Sequence, residues 1–193
     1  AFTIYALKLT KKSFGNFFWR KSSAKLLSRG FTLIELLITI SLIGVLAAGV
    51  VTIINPLGQI EKARDASRKS DLSQIKNALE IYYQDNGRYP PSAASPDNRI
   101  IDLNNNPVPW GNPWQPYMSV LPKDPKPTKK YVYVSPLSSA GQTYYLYASL
   151  DKLGDPQACF STGAPCASAV ANGVGALCGG NCSYGVASSN VSP

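Results

Sequence analysis

A run of 19 residues without a charge, from Leu36 to Ile54, is the strongest constraint on this chain. About 20 consecutive apolar residues in a helix are needed to cross the hydrocarbon core of a bilayer, so the run predicts one membrane-spanning helix. Glu35 stands immediately before this run. A carboxylate inside a membrane costs roughly 2 to 4 kcal/mol, so we expect Glu35 to have a specific partner.

Positive charge is concentrated on one side of the run. Residues 1–30 carry seven lysine and arginine residues and no acidic residue, while the formal net charge of the whole chain is +8. Basic residues flank the cytoplasmic end of membrane helices. The chain is therefore predicted to be a single-pass protein of the cytoplasmic (inner) membrane with its N-terminus inside. A basic arm that binds nucleic acid is the weaker alternative, so no nucleic-acid partner is predicted.

The chain contains no histidine, and this limits the possible functions. Histidine is the usual general base of Ser/His/Asp and Cys/His catalysis and the most common metal ligand. We therefore predict that the chain is not an enzyme and uses no cofactor.

Four cysteines follow the apolar run, on the side that the charge rule places outside the cytoplasm: Cys159, Cys166, Cys178 and Cys182. That compartment permits disulfides. Two disulfides are the favoured interpretation, because the tail is poor in large apolar residues, and three connectivities are possible. Zinc is the second interpretation and free thiols are the third, since zinc sites need cysteines in closer pairs.

An amphipathic helix is predicted over about residues 58–85. Four apolar residues at helical spacing form one stripe: Leu72, Ile75, Leu79 and Tyr82. The sequence Asp85-Asn86-Gly87 predicts a left-handed C-terminal cap. Opposite charges at helical spacing predict two ion pairs on the solvent face, Glu61 with Arg64 and Asp65 with Lys69.

Pro56 interrupts the long helical stretch formed by the apolar run and the amphipathic helix. A proline inside a helix removes one hydrogen bond and bends the axis, so a kink or local unwinding is predicted there. Two separate helices joined by a short loop are the alternative.

The rest of the chain predicts a small α+β domain. Residues 86–129 hold ten of the 15 prolines and predict a packed, irregular loop. Residues 130–150 alternate β-branched and aromatic residues around a turn, which predicts an antiparallel strand pair. The predicted fold is thus a long N-terminal helix, membrane-spanning and then amphipathic, packed on a small antiparallel sheet, with a disulfide-rich C-terminal tail.

Two ordinary explanations exist for the residues around Glu35. Thr32 and Glu35 fit a capping box, in which each side chain accepts a hydrogen bond from a free backbone N–H at the start of a helix. Alternatively, the basic arm, the apolar run and the small residues at 47–49 constitute a secretory signal.

The segment "RGFTLIELLITISLIGVLAA", residues 29–48, resembles the prepilin signature that type IV pilins share with the pseudopilins of type II secretion. The segments "ALEIYYQDNGRYP" (78–90) and "LPKDP" (121–125) also resemble this family. The resemblance implies three parts: a basic leader at 1–30 that is removed, a transmembrane and assembly helix at 31–57, and an extracytoplasmic head at 58–193.

The resemblance also implies processing and assembly. A prepilin peptidase and methyltransferase would cut after Gly30 and methylate Phe31. Glu35 would then pair with the new α-amine of a neighbouring subunit, and copies of the chain would form a periplasmic or cell-surface filament. The predicted function is a structural subunit of a type IV pilus-like filament. A type II secretion pseudopilin, or a membrane-anchored or secreted disulfide-bonded binding module, is the alternative.

Two features depart from the family pattern or match it loosely. Thr52 stands where the family commonly has a proline, and Pro56 comes four residues later. Asp151 and Asp155 fall where the major pseudopilins carry a calcium loop. The segment has few carboxylates for calcium, so a solvated turn is the preferred interpretation.

Overall fold

The structure is a computed structural model that describes residues 30–193, with the backbone alone at residues 51–54. Apart from Gly30, the predicted leader lies outside the described residues. The chain forms two compact units, with the division after Ala48, and each unit is considered separately below.

Two helices begin the described chain, α1 at Leu33–Ile54 and α2 at Pro56–Asn86. Asn55 separates them in a left-handed backbone conformation (φ 44°), and its side-chain oxygen accepts a hydrogen bond from the Gly58 amide at 3.3 Å. A residue before proline avoids the helical conformation, whereas proline itself is well suited to the first turn of a helix. The sequence alternative of two helices with a short connection therefore describes this backbone better than a bend within one helix.

Helix α2 packs on a three-stranded antiparallel sheet. The strands are β1 (Val132–Val134), β2 (Tyr145–Ala148) and β3 (Tyr184–Ala187), and β2 is central. Within this sheet Tyr133 lies opposite Leu146, which lies opposite Val186. All four residues of the predicted stripe are buried in the core beneath α2. The periodicity of the sequence therefore identified the packing face of this helix correctly.

The irregular segment that follows α2 completes this core. Gly87 ends α2 in a left-handed conformation (φ 68°), and its N–H donates to the Tyr83 carbonyl at 2.8 Å, as the cap prediction requires. Trp114 is buried, and its ring lies 5.7 Å from the ring of Tyr82. The proline-rich loop is thus packed against the helix, because its large side chains fill the space beside the apolar stripe.

The C-terminal tail covers the other face of the sheet. Successive residues of a strand point to opposite faces, so Tyr133 joins the core beneath α2 while Val132 and Val134 face a second cluster. Three cysteines, Ala169 and Val174 belong to that second cluster. Because both faces are covered, the three residues of β1 are all buried.

The tail also adds structure that the sequence did not predict. It contains a short helix, α3 (Ala167–Ala171), and the strand β3, so the sheet has one strand more than the predicted pair. The segment Tyr-Gly-Val-Ala has little strand signal, and its place is determined by pairing with β2. The predicted disulfides are present and join Cys159 to Cys166 and Cys178 to Cys182.

A buried arginine connects α2 to two distant segments. The Arg68 guanidinium donates to both carboxylate oxygens of Asp124, at 2.8 and 2.9 Å, and to Asp65 at 2.7 Å. Its Nη1 also lies 3.0 Å from Asp151 Oδ2. The three carboxylates supply the partners that a desolvated guanidinium needs.

This arrangement corrects the two ion pairs predicted on α2. Asp65 is buried, and besides Arg68 it accepts hydrogen bonds from the backbone amides of Asp151 and Lys152, at 2.8 and 2.9 Å. Lys69 pairs with Asp155. No ion pair joins Glu61 to Arg64 in residues 30–193. Helical spacing indicates which charges are neighbours on one helix, but for Asp65 and Lys69 tertiary partners outcompete the helical neighbour.

Acid should weaken the head through Asp151. Burial alone would raise the pKa of this carboxyl, but hydrogen bonds from Lys129, Lys126 and Arg68 outweigh burial and hold the pKa well below its usual range. The unfolded chain therefore binds the proton more tightly. The stabilisation should be complete above about pH 5 and be lost progressively as the pH falls below about 4.

We expect Asp151→Asn to lower the free energy of unfolding by about 1.5 to 3 kcal/mol at neutral pH, since it removes the carboxylate that pairs with Lys129 and one of the three around Arg68. The variant should also lose less stability in acid than the wild type. Urea unfolding of the full chain in detergent, followed by tryptophan fluorescence at several pH values, measures both effects. Asp85→Asn, at an exposed position of α2, is the control. Parallel pH profiles for Asp151→Asn and the wild type would contradict this expectation.

Disulfide connectivity can be read from one non-reduced digest. Chymotryptic cleavage after Phe160 and Leu177 places Cys159, Cys166 and the pair Cys178/Cys182 on three peptides. We expect the first two peptides to be linked to each other. The third should be released alone and be lighter by two hydrogen atoms than its reduced form. A cross-link from Cys178 or Cys182 to either other peptide would exclude the observed pairing.

Candidate functional site

The start of α1 holds the residues that the sequence singled out for processing and assembly. The Glu35 amide donates to Thr32 Oγ1 at 3.2 Å, and the Leu36 amide donates to the Thr32 carbonyl at 3.1 Å. Thr32 thus acts as the N-terminal cap. The Glu35 carboxylate has no hydrogen bond or ion pair with any residue in the described range 30–193. Capping therefore explains Thr32, but it leaves the charge of Glu35 without a partner there.

The surface of α1 is suited to lipid. Its large apolar side chains are exposed, from Leu33 to Val50, and this segment is long and apolar enough to cross a membrane. The hydroxyls of Thr39 and Ser41 donate to backbone carbonyls of the preceding turn, at 2.8 and 2.9 Å. These bonds satisfy the hydroxyls inside the helix, as an apolar solvent requires.

Gly30 and Phe31 precede α1. Phe31 is 74% exposed. A Cβ atom at Gly30 would meet no atom within 4 Å, and the backbone of Gly30 is not in the left-handed region that favours glycine. The described fold therefore does not itself require glycine at position 30. A requirement for glycine would have to come from a partner that binds this segment.

The loop that contains Asp151 and Asp155 was the candidate calcium site. Lys129 Nζ donates to three oxygens of this loop: the Ser149 and Leu150 carbonyls, both at 3.1 Å, and Asp151 Oδ1 at 2.7 Å. Lys126 Nζ donates to the same Asp151 oxygen at 2.9 Å. Asp151 is thus surrounded by cations of the protein, and only 4% of its side chain is exposed. The interpretation as a solvated turn was wrong for Asp151.

These residues do not fit a calcium ion. Calcium takes six to eight oxygen ligands, many of them from carboxylates. Both oxygens of Asp155 accept from Lys69 Nζ, at 2.7 and 2.6 Å, and Asp151 is already paired with three cations. Within residues 30–193, no group of three or more histidine, cysteine, aspartate or glutamate residues is arranged to hold a metal.

Sequence reasoning missed the three residues that organise this loop: Arg68, Asp124 and Lys129. Arg68 and Asp124 are 56 residues apart, so no helical or strand spacing relates them. The dense charges of residues 123–130 were the one available signal. Charge alone does not reveal which side chains become buried, since most such runs are solvated.

Two protein-family models match this chain. The prokaryotic N-terminal methylation motif matches residues 26–51. The model of type II secretion system protein G matches residues 55–154. The second match includes α2, β1, β2 and the loop with Asp151, and it ends before both disulfides.

Several curated relatives are named type II secretion system core protein G. The Pectobacterium carotovorum protein is 37% identical over 97 residues, which cover 50% of this chain and 61% of the relative. The Vibrio cholerae protein is 36% identical over 107 residues, covering 55% of this chain and 70% of the relative. The Escherichia coli K12 protein is 36% identical over 108 residues, covering 56% and 72%.

No solved structure matches the chain significantly. The resemblance first read from residues 29–48, 78–90 and 121–125 is confirmed by the family models. The model of type II secretion system protein G alone spans more than half of the 193 residues. With relatives more than 30% identical over two thirds of their length, these matches establish that the chain belongs to the type II secretion system protein G family of pseudopilins.

Proposed function

We propose that this chain is a structural subunit of a type II secretion pseudopilus. The observation that supports this proposal is the order of the two family matches. A methylation motif at residues 26–51 is followed directly by a match to type II secretion system protein G at residues 55–154. The role is structural and not enzymatic. Its partners are a prepilin peptidase and methyltransferase, the cytoplasmic membrane, and other pseudopilin subunits.

This proposal replaces the main interpretation of the sequence with its alternative. The prepilin signature is common to type IV pilins and pseudopilins, so residues 29–48 do not distinguish the two. The head favours the pseudopilins, because residues 55–154 match type II secretion system protein G. The curated relatives are also named type II secretion system core protein G.

The membrane anchor is α1, and the head lies on the periplasmic side. The exposed apolar surface of Leu33–Val50 supports insertion in the membrane. The seven basic residues before Phe31 support a cytoplasmic N-terminus. The two disulfides of the head support an oxidising compartment beyond the membrane.

Assembly proceeds through α1 and Glu35. Cleavage after Gly30 creates an α-amine on Phe31, and the Glu35 carboxylate is an anion without a partner in residues 30–193. A neighbouring subunit at the same depth in the membrane can offer its amine to that carboxylate. Such a pair determines the register of the subunits more than it adds net stability.

Processing should occur between Gly30 and Phe31. We expect intact-mass and N-terminal analysis of the membrane protein to find a methylated Phe31 as the first residue. Gly30→Val should leave the leader attached, because the added side chain obstructs the peptidase while the described fold has room for it. Val50→Ala, inside the apolar run, should be processed normally. A terminus near Val50 would instead indicate an ordinary secretory signal.

Glu35→Ala should be inserted and processed but should not assemble. The change makes α1 more apolar, so poor insertion does not explain a defect. In cells that express only the variant, we expect loss of secretion of type II substrates and loss of subunit–subunit cross-links. The processed variant should accumulate as monomer.

Thr32→Ala is the matched control for this variant. It removes the hydrogen bond to the Glu35 amide, which costs about 0.5 to 2 kcal/mol, but it keeps the carboxylate. It should retain assembly. Normal secretion and cross-linking by Glu35→Ala would show that the Glu35 carboxylate is not needed for assembly and acts only at the start of the helix. If Glu35→Ala abolished surface pili but left secretion unaffected, the chain would instead be a subunit of a type IV pilus.

A further inference from the structure

The ammonium of Lys129 lies against a group of oxygens in the loop that follows β2. It lies within hydrogen-bonding distance of three oxygens from consecutive residues, 149, 150 and 151. An ammonium is a compact charge with three donors, so it matches three acceptors that surround it on one side. Only 12% of the Lys129 side chain is exposed. The oxygens therefore surround a charge that belongs to the protein itself.

We propose that Lys129 is the built-in cation of the loop at residues 149–155, so that the head holds this loop in place without a divalent metal. The loop is the one for which the family resemblance implies calcium. The proposal goes beyond the role in secretion and does not depend on it, because it concerns the folding of the head alone.

A calcium ion would be repelled from this position. Besides Lys129, Asp151 pairs with Lys126 at 2.9 Å and with Arg68 at 3.0 Å. An incoming divalent ion would have to displace the Lys129 ammonium and then remain close to the other two positive charges. It would gain one carboxylate and two carbonyls, fewer oxygens than calcium takes.

Other contacts, which do not use the Asp151 carboxylate, also hold the loop in place. Asp65, on α2, accepts the backbone amides of Asp151 and Lys152 at 2.8 and 2.9 Å. Asp155 pairs with Lys69 of the same helix. The loop is thus attached to α2 at residues 151–152 and at residue 155 by contacts within the chain, and Lys129 attaches it to the segment before β1.

A tethered cation differs from a bound metal in how stability depends on solution conditions. A ligand stabilises the folded state in proportion to the logarithm of its concentration above its dissociation constant. The charge of Lys129 is covalently part of the chain, so it contributes at any calcium concentration. The midpoint of thermal unfolding should therefore be the same with and without calcium.

The first experiment measures the full chain in detergent micelles by near-ultraviolet circular dichroism. We expect the unfolding midpoint in excess EDTA to equal that in millimolar calcium chloride, and calorimetric titration with calcium chloride to show no binding. A midpoint that rises with calcium, or a saturable heat of binding, would overturn the proposal. This experiment uses the wild-type chain, so it tests the proposal even if substitutions impair folding.

The second experiment replaces the cation. Lys129→Met keeps most of the length of the side chain and removes its charge, so we expect the midpoint to fall by roughly 3 to 8 °C. Lys123→Met is the matched control, since Lys123 is exposed and forms no ion pair in the described part of the chain. Its midpoint should be unchanged. Equal midpoints for Lys129→Met and the wild type would refute the role of Lys129 as the internal cation.

Discussion

The buried guanidinium of Arg68 is the interaction on which the head depends. A charged group away from water is costly unless it is fully paired, and Arg68 pairs with Asp65 on its own helix and with Asp124 and Asp151 on two distant segments. Neither distant segment can move away without leaving a buried charge unpaired. Lys126 and Lys129 complete the arrangement by neutralising Asp151. The network thus specifies how α2, the segment before β1 and the loop after β2 come together.

Local features of the fold were predictable because their signals are local. The stripe from Leu72 to Tyr82, the cap at Gly87 and the prepilin signature each depend on residues close in sequence. The Arg68 network was not predictable, since two of its three carboxylates, Asp124 and Asp151, lie far from the arginine in sequence. Asp65 shows the difference: its helical spacing to Lys69 predicts a surface pair, but burial against the backbone of residues 151 and 152 decides its role.

The tail shows a second limit of sequence reasoning. Its small residues and cysteines predicted disulfides, which the structure contains, but not the strand β3. Small side chains suit this position because Gly185 lies against the ring of Tyr147. A Cβ there would be 2.8 Å from that ring. The same composition that weakens the strand signal is therefore what allows the tail to pack closely on the sheet.

The carboxylates of the head and the carboxylate of α1 differ in whether the chain itself supplies a cation for them. The side chains of Asp65, Asp124 and Asp151 are buried, and each pairs with a cation within the chain. Glu35 lies on an exposed apolar helix and finds none in residues 30–193. Lipid makes an unpaired carboxylate costly, so the helix is incomplete in its charge balance while it is alone. In the assembly that we propose, the amine of a neighbouring subunit offsets this cost, and the pair thereby determines the register of the two helices.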